Sequence, residues 1–497
     1  MQPAELSLIR FFLDSVCVRF KSAISWRRMK QLLQWSLILF LFLTSNVEKA
    51  DAQSNVGTVK LSPMATPAPV QLPASAATIV PIAGLLESNS AAPERVNWLQ
   101  TVQETSAHNS EVISARENYL SLQDATKGSY SDFFPQVSGS LGYTYANTLN
   151  TGTAGSSISI PTQTNYSATF NASENIFTGL LDEGKINQAK ANEKNAAAAM
   201  DFTRAKVTYD LKTAYAALMY AQRSIALQES IVSRRSQNLQ LVQLRFESGR
   251  ENKGSVMLSQ ADFNQARYAE LQARDNLVVA RSQLARVLGR DEDSNFELSE
   301  DVPLVLPVTS VLDFKQITVD TPTHVQSVAQ ENAAEAGVTI ARSGFFPTLG
   351  FNGSLGNQGP TWFPQGERWS IGLSLTLPIF NGGRDFYGTK AAIATYSAST
   401  ATRFNGDRVI LFTLKQNYTN FIEAIEKLKV DQSYAQAASV RSEIARNQYN
   451  NGLLTFDDWT IIENDLITRQ GNVLLSEQAL TTAEAAWQQT QGKGVIP

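Results

Sequence analysis

The fold class predicted by this sequence is a mixed α and β membrane protein, in which each chain lends four strands to a β-barrel shared between chains and continues it with a long coiled coil. Three observations point there: the chain repeats itself at fixed offsets, each copy holds two alternating segments of about ten residues, and each holds a proline-free stretch far longer than an ordinary helix. Length alone, 497 residues, suggests about three domains, but the repeat replaces that division.

Composition narrows the function classes. With 42 Lys+Arg against 46 Asp+Glu the chain lacks the basic excess of a nucleic-acid groove, so no nucleic-acid partner is expected. Two histidines and one cysteine, Cys17, leave little room for a zinc site or a disulfide framework.

Residues 1–52 read as a signal peptide. Arg27, Arg28 and Lys30 flank an apolar run from Leu32 to Leu43, and Ala50-Asp51-Ala52 supplies a small-residue cleavage site. A spanning anchor is the poorer alternative, because the run is about half the ~20 residues a membrane helix needs. Met29 offers an alternative start. Cleavage would remove Cys17, which precedes the apolar run and so cannot be a lipid-accepting cysteine. Residues 53–96 form a Pro/Ala-rich linker.

The repeat follows, with copies at 97–290 and 323–497 around a connector at 291–322. Phe133-Phe134-Pro135 returns as Phe345-Phe346-Pro347, and Gly139-Ser140-Leu141-Gly142 as Gly353-Ser354-Leu355-Gly356. Further on, Ile176-Phe177 matches Ile379-Phe380, Phe246-x-x-Gly249 matches Tyr449-x-x-Gly452, and Gly289 matches Gly492, all at offset 203. Each copy opens with a helix, near 97–130 and 323–343. Strands come next. Val137, Gly139, Leu141, Tyr143 and Tyr145 alternate with polar or small residues, as do Tyr166, Ala168, Phe170 and Ala172. In the second copy Leu349, Phe351, Gly353 and Leu355 make one apolar face, and Trp369, Ile371, Leu373, Leu375, Leu377 and Ile379 another. Their length suits tilted transmembrane strands. Segments 147–162 and 357–366 carry turn residues.

From Asp182 to Phe246 no proline interrupts a line of Leu211, Leu218, Ile225, Val232, Leu239 and Phe246 at seven-residue spacing; the second copy reads Leu414, Phe421, Leu428, Ala435, Ser442 and Tyr449. That spacing predicts coiled-coil packing. The helices break at Gly249 and Gly452 and resume toward Gly289 and Gly492.

The chain holds no recognisable catalytic motif, and no cofactor is implied. His108 and His324 read as packing or surface residues. Asp291-Glu292-Asp293 is either an exposed acidic turn or, with poorer spacing, a cation site. Asp457-Asp458 alone reads as an acidic helix start. Four strands, however, cannot close a barrel in lipid. Three copies would give about 12, and a tip residue would then become a ring of three, in which carboxylates select cations.

From about residue 97 onward the chain resembles the TolC-like outer-membrane efflux protein family. The resemblance rests on the duplicated Phe-Phe-Pro and strand pattern, on Leu377-Pro378-Ile379-Phe380-Asn381-Gly382-Gly383, and on Tyr449-x-x-Gly452-Leu453-x-Thr455-x-x-Asp458. It implies a homotrimer with its barrel in outer-membrane lipid and an α-helical barrel in the periplasm. The implied role is the exit duct of a tripartite efflux or type I secretion system, docked to a periplasmic adaptor and an inner-membrane pump, and not an enzyme. By resemblance Tyr449 and Asp458 belong to the periplasmic gate, and Gly249, Gly452, Leu453 and Thr455 to the adaptor-binding tip. The first tip departs from the family pattern, with Ser255 where an aspartate is common; Leu454 and Ile461 replace residues that some relatives use for gate pairing and a second acidic ring. A rival reading, a periplasmic or surface coiled-coil structural protein or adhesin, explains the heptads but not the alternating strands.

Overall fold

The computed structural model describes residues 94–146, 149–151, 157–159, 163–290, 295–305 and 312–496. The expected signal peptide, nearly all of the Pro/Ala-rich linker, and Asp291-Glu292-Asp293 lie outside them.

The chain enters as strand β1 (Glu94–Val96) and helices α1 (Trp98–His108) and α2 (Ser110–Gly128). The single helix expected over 97–130 is therefore two. Asn109 separates them: its Oδ1 accepts from the backbone N–H groups of Glu111 and Val112, and its Nδ2 donates to the Val287 carbonyl at 2.8 Å. A side chain that caps one helix while fastening the chain elsewhere favours a break over continuation.

Strands β2 (Gln136–Ala146), β3 (Leu149–Thr151), β4 (Ser157–Ser159) and β5 (Gln163–Phe177) follow, then helices α3 (Leu181–Glu247) and α4 (Lys253–Leu288) and strand β6 (Phe296–Leu298). A short helix α5 (Phe314–Asp320) leads into α6 (Pro322–Arg342), strands β7 (Thr348–Gly359) and β8 (Gly366–Thr376), and helices α7 (Arg384–Asn450) and α8 (Phe456–Thr490). Helices α3 and α7 are both 67 residues, about 100 Å, and begin and end at offset 203.

The four long strands form one antiparallel sheet in the order β2-β5-β7-β8, leaving β2 and β8 as its edges. Because side chains alternate, the register sorts the sheet into two faces. Leu141 pairs with Ala168, Phe170 with Leu355, Gly353 with Ile371 and Leu355 with Trp369, all on one face. On the other, Ser140 meets Thr169 at 2.7 Å and Ser354 meets Ser370 at 2.8 Å, hydroxyl to hydroxyl. Strand β8 stops at Thr376, short of the expected face through Ile379; Pro378 lacks the N–H that a ladder requires. Strand β5 instead runs on through a bulge to Phe177.

Both strand-to-helix junctions use two successive left-handed residues, Gly179 and Leu180 in the first copy, Gly382 and Gly383 in the second. Leu180 is the one non-glycine at positive φ among the described residues, and a Cβ there costs about 1–2 kcal/mol.

Packing is organised by the repeat. Leu211, Tyr215, Leu218 and Leu284 join Trp98, Val102 and Phe296 in one core; their counterparts Leu414, Tyr418, Phe421 and Trp487 join Phe314 in another. The parallel pair β1–β6 closes the first core and was not expected from the sequence. The heptad lines behave differently in the two copies. In α3 Leu211 and Leu218 are fully buried, but the line drifts outward until Phe246 is 41% exposed, and Arg235, Asn238 and Val242 take over the buried side. A straight helix turns about 20° per heptad against a strict repeat of seven. In α7 the line is half-buried at Leu428 and Ala435 but ends inside: Ser442 and Tyr449 are both 1% exposed although Ser442 is polar.

Across the two copies, Lys212 of α3 and Glu484 of α8 form a buried ion pair at 2.6 Å, with Gln488 also accepting from the Lys212 ammonium at 2.9 Å.

Candidate functional site: the paired helical tips

Both tips are built on the same backbone device. The Gly249 N–H donates to the Phe246 carbonyl and the Arg250 N–H to Arg245; likewise Gly452 donates to Tyr449 and Leu453 to Gln448. This paired bonding closes a helix C-terminus and requires a left-handed residue. The φ angles of +72° and +74° explain why glycine stands at both positions. Each following helix is then capped by a side chain. Asn252 Oδ1 accepts from the Ser255 N–H, and Thr455 Oγ1 accepts from the Asp458 N–H at 3.2 Å.

Asp458 returns the favour, its carboxylate accepting from the Thr455 hydroxyl at 2.7 Å. Its side chain is otherwise open to solvent, as are those of Thr455 and Leu453, the last 77% exposed. Gly249 and Gly452 face open space as well. The structure thus places these five residues at the two turns, accessible in the protomer.

Tyr449 is different. Its ring stacks on Trp459 with centroids 4.3 Å apart and 12° between planes, and Phe456 packs beside it. The Arg245 guanidinium lies over the opposite part of the ring, 4.5 Å from its centroid, and donates at 2.6 Å to the Tyr449 carbonyl. The Tyr449 hydroxyl donates to Glu251 of the first tip at 2.9 Å. Burial, followed by this carboxylate, pushes the hydroxyl's pKa well up, so it remains a donor at any physiological pH. Glu251 in turn accepts from the Ser255 hydroxyl at 3.0 Å and the Asn252 N–H at 3.1 Å. One carboxylate therefore organises the first tip and holds the second.

Sequence reasoning missed Arg245 and Glu251. The available signal was the repeat: Tyr449 stands where the first copy has Phe246, and a phenol that becomes buried needs a partner for its hydroxyl. Glu251 is the acid of the facing turn.

Farther from the tip, Glu463 of α8 is almost wholly buried. It accepts from Ser442 of α7 and, at 3.3 Å, from Asn238 of α3, with Arg234 at 3.7 Å. Beside it Arg235 donates to Asn464 and lies 3.4 Å from Asp262 of α4. Four helices thus share one polar layer, in which losing a single partner strands a buried charge. Among the described residues no cluster of His, Cys, Asp or Glu could hold a metal ion, and no helix is long and apolar enough to cross a membrane. The arrangement is suited to holding two hairpins together rather than to bond chemistry.

The sequence pattern of outer membrane efflux proteins matches residues 101–290 and 320–493, most of the chain in two corresponding segments. The chain belongs to this family. It is an outer-membrane efflux protein, a transport component and not an enzyme. Among relatives, it is 23% identical over 364 residues to the probable outer membrane lipoprotein SilC of Salmonella typhimurium, covering 69% of this chain and 74% of SilC. It is 25% identical over 249 residues to the alkaline protease secretion protein AprF of Pseudomonas aeruginosa, covering 47% of this chain and about half, 51%, of AprF. The fold of this efflux protein is that of the outer membrane protein VceC from Vibrio cholerae, with a TM-score of 0.69 at 17% identity over 80% of this chain and 96% of VceC.

Proposed function

We propose that three copies of this efflux protein close one 12-stranded barrel in the outer membrane and extend it through the periplasm as a helical duct. The duct docks at its tips to a periplasmic adaptor and an inner-membrane pump, which supplies the energy. The observation that carries this reading is the sheet itself: one apolar face, one hydroxyl-lined face and two free edges. An open edge cannot face lipid. Strand β8 runs opposite to β2, so each copy's last strand can pair antiparallel with the next copy's first. The helical part supplies a second argument. Phe412, Val440, Ile444 and Leu475 on α7 and α8 are half exposed or more in the protomer and become buried if neighbouring copies pack there.

In this reading the tips are the gate. Tyr449 ties the end of α7 to the first tip through Glu251 and Arg245, and opening requires those contacts to yield. Asp458, one per copy, rings the constriction and selects cations. Gly249, Gly452, Leu453 and Thr455 form the adaptor-facing surface.

Crosslinking the purified protein should give a trimer; a monomer that inserts in lipid would overturn the shared barrel. Asp458→Ala should weaken cation preference in single-channel recordings, and unchanged selectivity would remove the acidic ring. Gly452→Glu should abolish export while trimers persist. Normal export would sink the docking assignment.

A further inference from the structure

The sheet is unusually poor in charge. Across residues 136–177 and 348–376, strands and connecting segments together, the ionisable acids and bases are Glu174, Glu367 and Arg368. The register separates them. Arg368 pairs with Gly356, in the same row set as Ser354, Ser370, Asn352 and Asn171, so it stands on the hydroxyl and amide face. Glu367 is paired with Asn357 and Glu174 with Phe351, both in the rows of the apolar face. Strand β2, the neighbour that a next copy would bring, has no charged residue. No carboxylate therefore shares a face with Arg368. Its partner Gly356 carries no side chain, and the position is confined to glycine, since a Cβ there would meet the Ala168 carbonyl at 2.2 Å. Arg368 lies near the start of β8, at the end of the sheet away from the helices.

We propose that Arg368 is a specificity-determining residue of the duct, a ring of guanidiniums, one per copy, that attracts small anions and retards cations at the outer mouth. This rests on the shared-barrel reading, in which the hydroxyl face lines the lumen. Twelve strands about 4.8 Å apart make a wall about 18 Å across before tilt widens it. An arginine side chain reaches well into that space. At physiological salt the screening length is about 8 Å, so three such charges bias the opening without blocking it; at 1 M, where it is about 3 Å, the bias fades. With Asp458 at the far tip, the duct carries opposite charge at its two ends, and a cationic solute outside the cell meets an unfavourable potential before it can re-enter.

The test reads the local potential directly. Cys17 is the single cysteine of the sequence, so Cys17→Ser gives a silent background for Ser370→Cys, one step deeper on the same face. The trimer in liposomes is treated with an anionic (sulfonatoethyl) and a cationic (trimethylammonioethyl) methanethiosulfonate at about 20 mM salt. Adding Arg368→Gln should lower the anionic-to-cationic rate ratio by about three- to tenfold, Arg368→Glu should lower it further, and 1 M salt should abolish the difference. Ratios that match across Arg, Gln and Glu at low salt, with both reagents reacting at Ser370→Cys, would overturn the filter and leave the barrel standing. If instead Ser370→Cys is shielded while Ile371→Cys reacts, the lumen assignment itself fails. Should Arg368→Glu not assemble, Arg368→Gln decides alone.

Discussion

At the α3–α4 turn Phe246 stands partly in solvent and the chain continues as Arg250-Glu251-Asn252-Lys253. At the α7–α8 turn Tyr449 is fully buried and the chain continues as Leu453-Leu454-Thr455-Phe456. The backbone is the same at both, down to the two carbonyls that accept from the N–H groups of the glycine and its successor. The difference teaches what the repeat keeps and what it releases. Backbone bonding must be satisfied in each copy, whereas side chains are free to divide the work. The first tip provides the carboxylate that receives the Tyr449 hydroxyl, and the second provides the aromatic stack.

The most damaging way to break this comparison is Tyr449→Ala. It should cost about 3–5 kcal/mol of tip packing, seen as fast hydrogen exchange through α7's last turns and a raised single-channel conductance. Phe246→Ala, at the matched position, should cost far less. Glu251→Leu leaves the phenol without an acceptor and should cost about 1–3 kcal/mol. Tyr449→Phe should relieve most of that loss, so a double-mutant cycle by chemical denaturation should show strong coupling between the two tips. Gly249→Ala and Gly452→Ala should each cost about 1–2 kcal/mol, and nearly equally, because both sites are open and take the same φ. Unequal shifts in thermal unfolding would mean the two backbones are not equivalent.

The smallest effect is acid sensitivity confined to the second copy. Hydrogen bonds from Lys427 and then Ser476 hold the Asp431 carboxyl below its ordinary value of 3.8. That contribution is complete above about pH 4 and is lost as pH falls through the lowered value. The first copy carries Gln228 at the matched position. Acid should therefore loosen α7 against α8 before α3 against α4, and Asp431→Asn should remove the difference in exchange rates.

Much of the fold was legible because its signals are periodic. Alternation from Val137 to Tyr145 and from Trp369 to Leu375 located strands, and the repeat placed the long first helix, expected over Asp182–Phe246, within one residue of its observed ends at Leu181 and Glu247. What was hidden depends on contacts across the sequence. The β1–β6 pair has three residues on each strand, too few for a pattern, and Asn109 breaks a helix through a bond to Val287. At the tips the glycines, Thr455 and Asp458 were readable because turns and caps are local. Arg245 and Glu251 were not, since their significance lies in a ring some two hundred residues away. The drift of the α3 heptad line escaped for a geometric reason: identity at every seventh position cannot report the twist that moves it out of the core.

The joints between sheet and long helix carry a mechanical consequence. Each is a pair of left-handed residues, and at Gly179 an added Cβ would meet that of Phe346 at 2.7 Å and the Ser343 carbonyl at 2.9 Å. The first joint therefore has no slack, whereas the second, at Gly382, faces open space. A helix of 67 residues is a lever about 100 Å long, and a swing of about 3° at its fulcrum moves the free end by about 5 Å. The position of the α3 tip is thus set by tolerances at the sheet, where a single methyl group at Gly179 would misalign the whole arm.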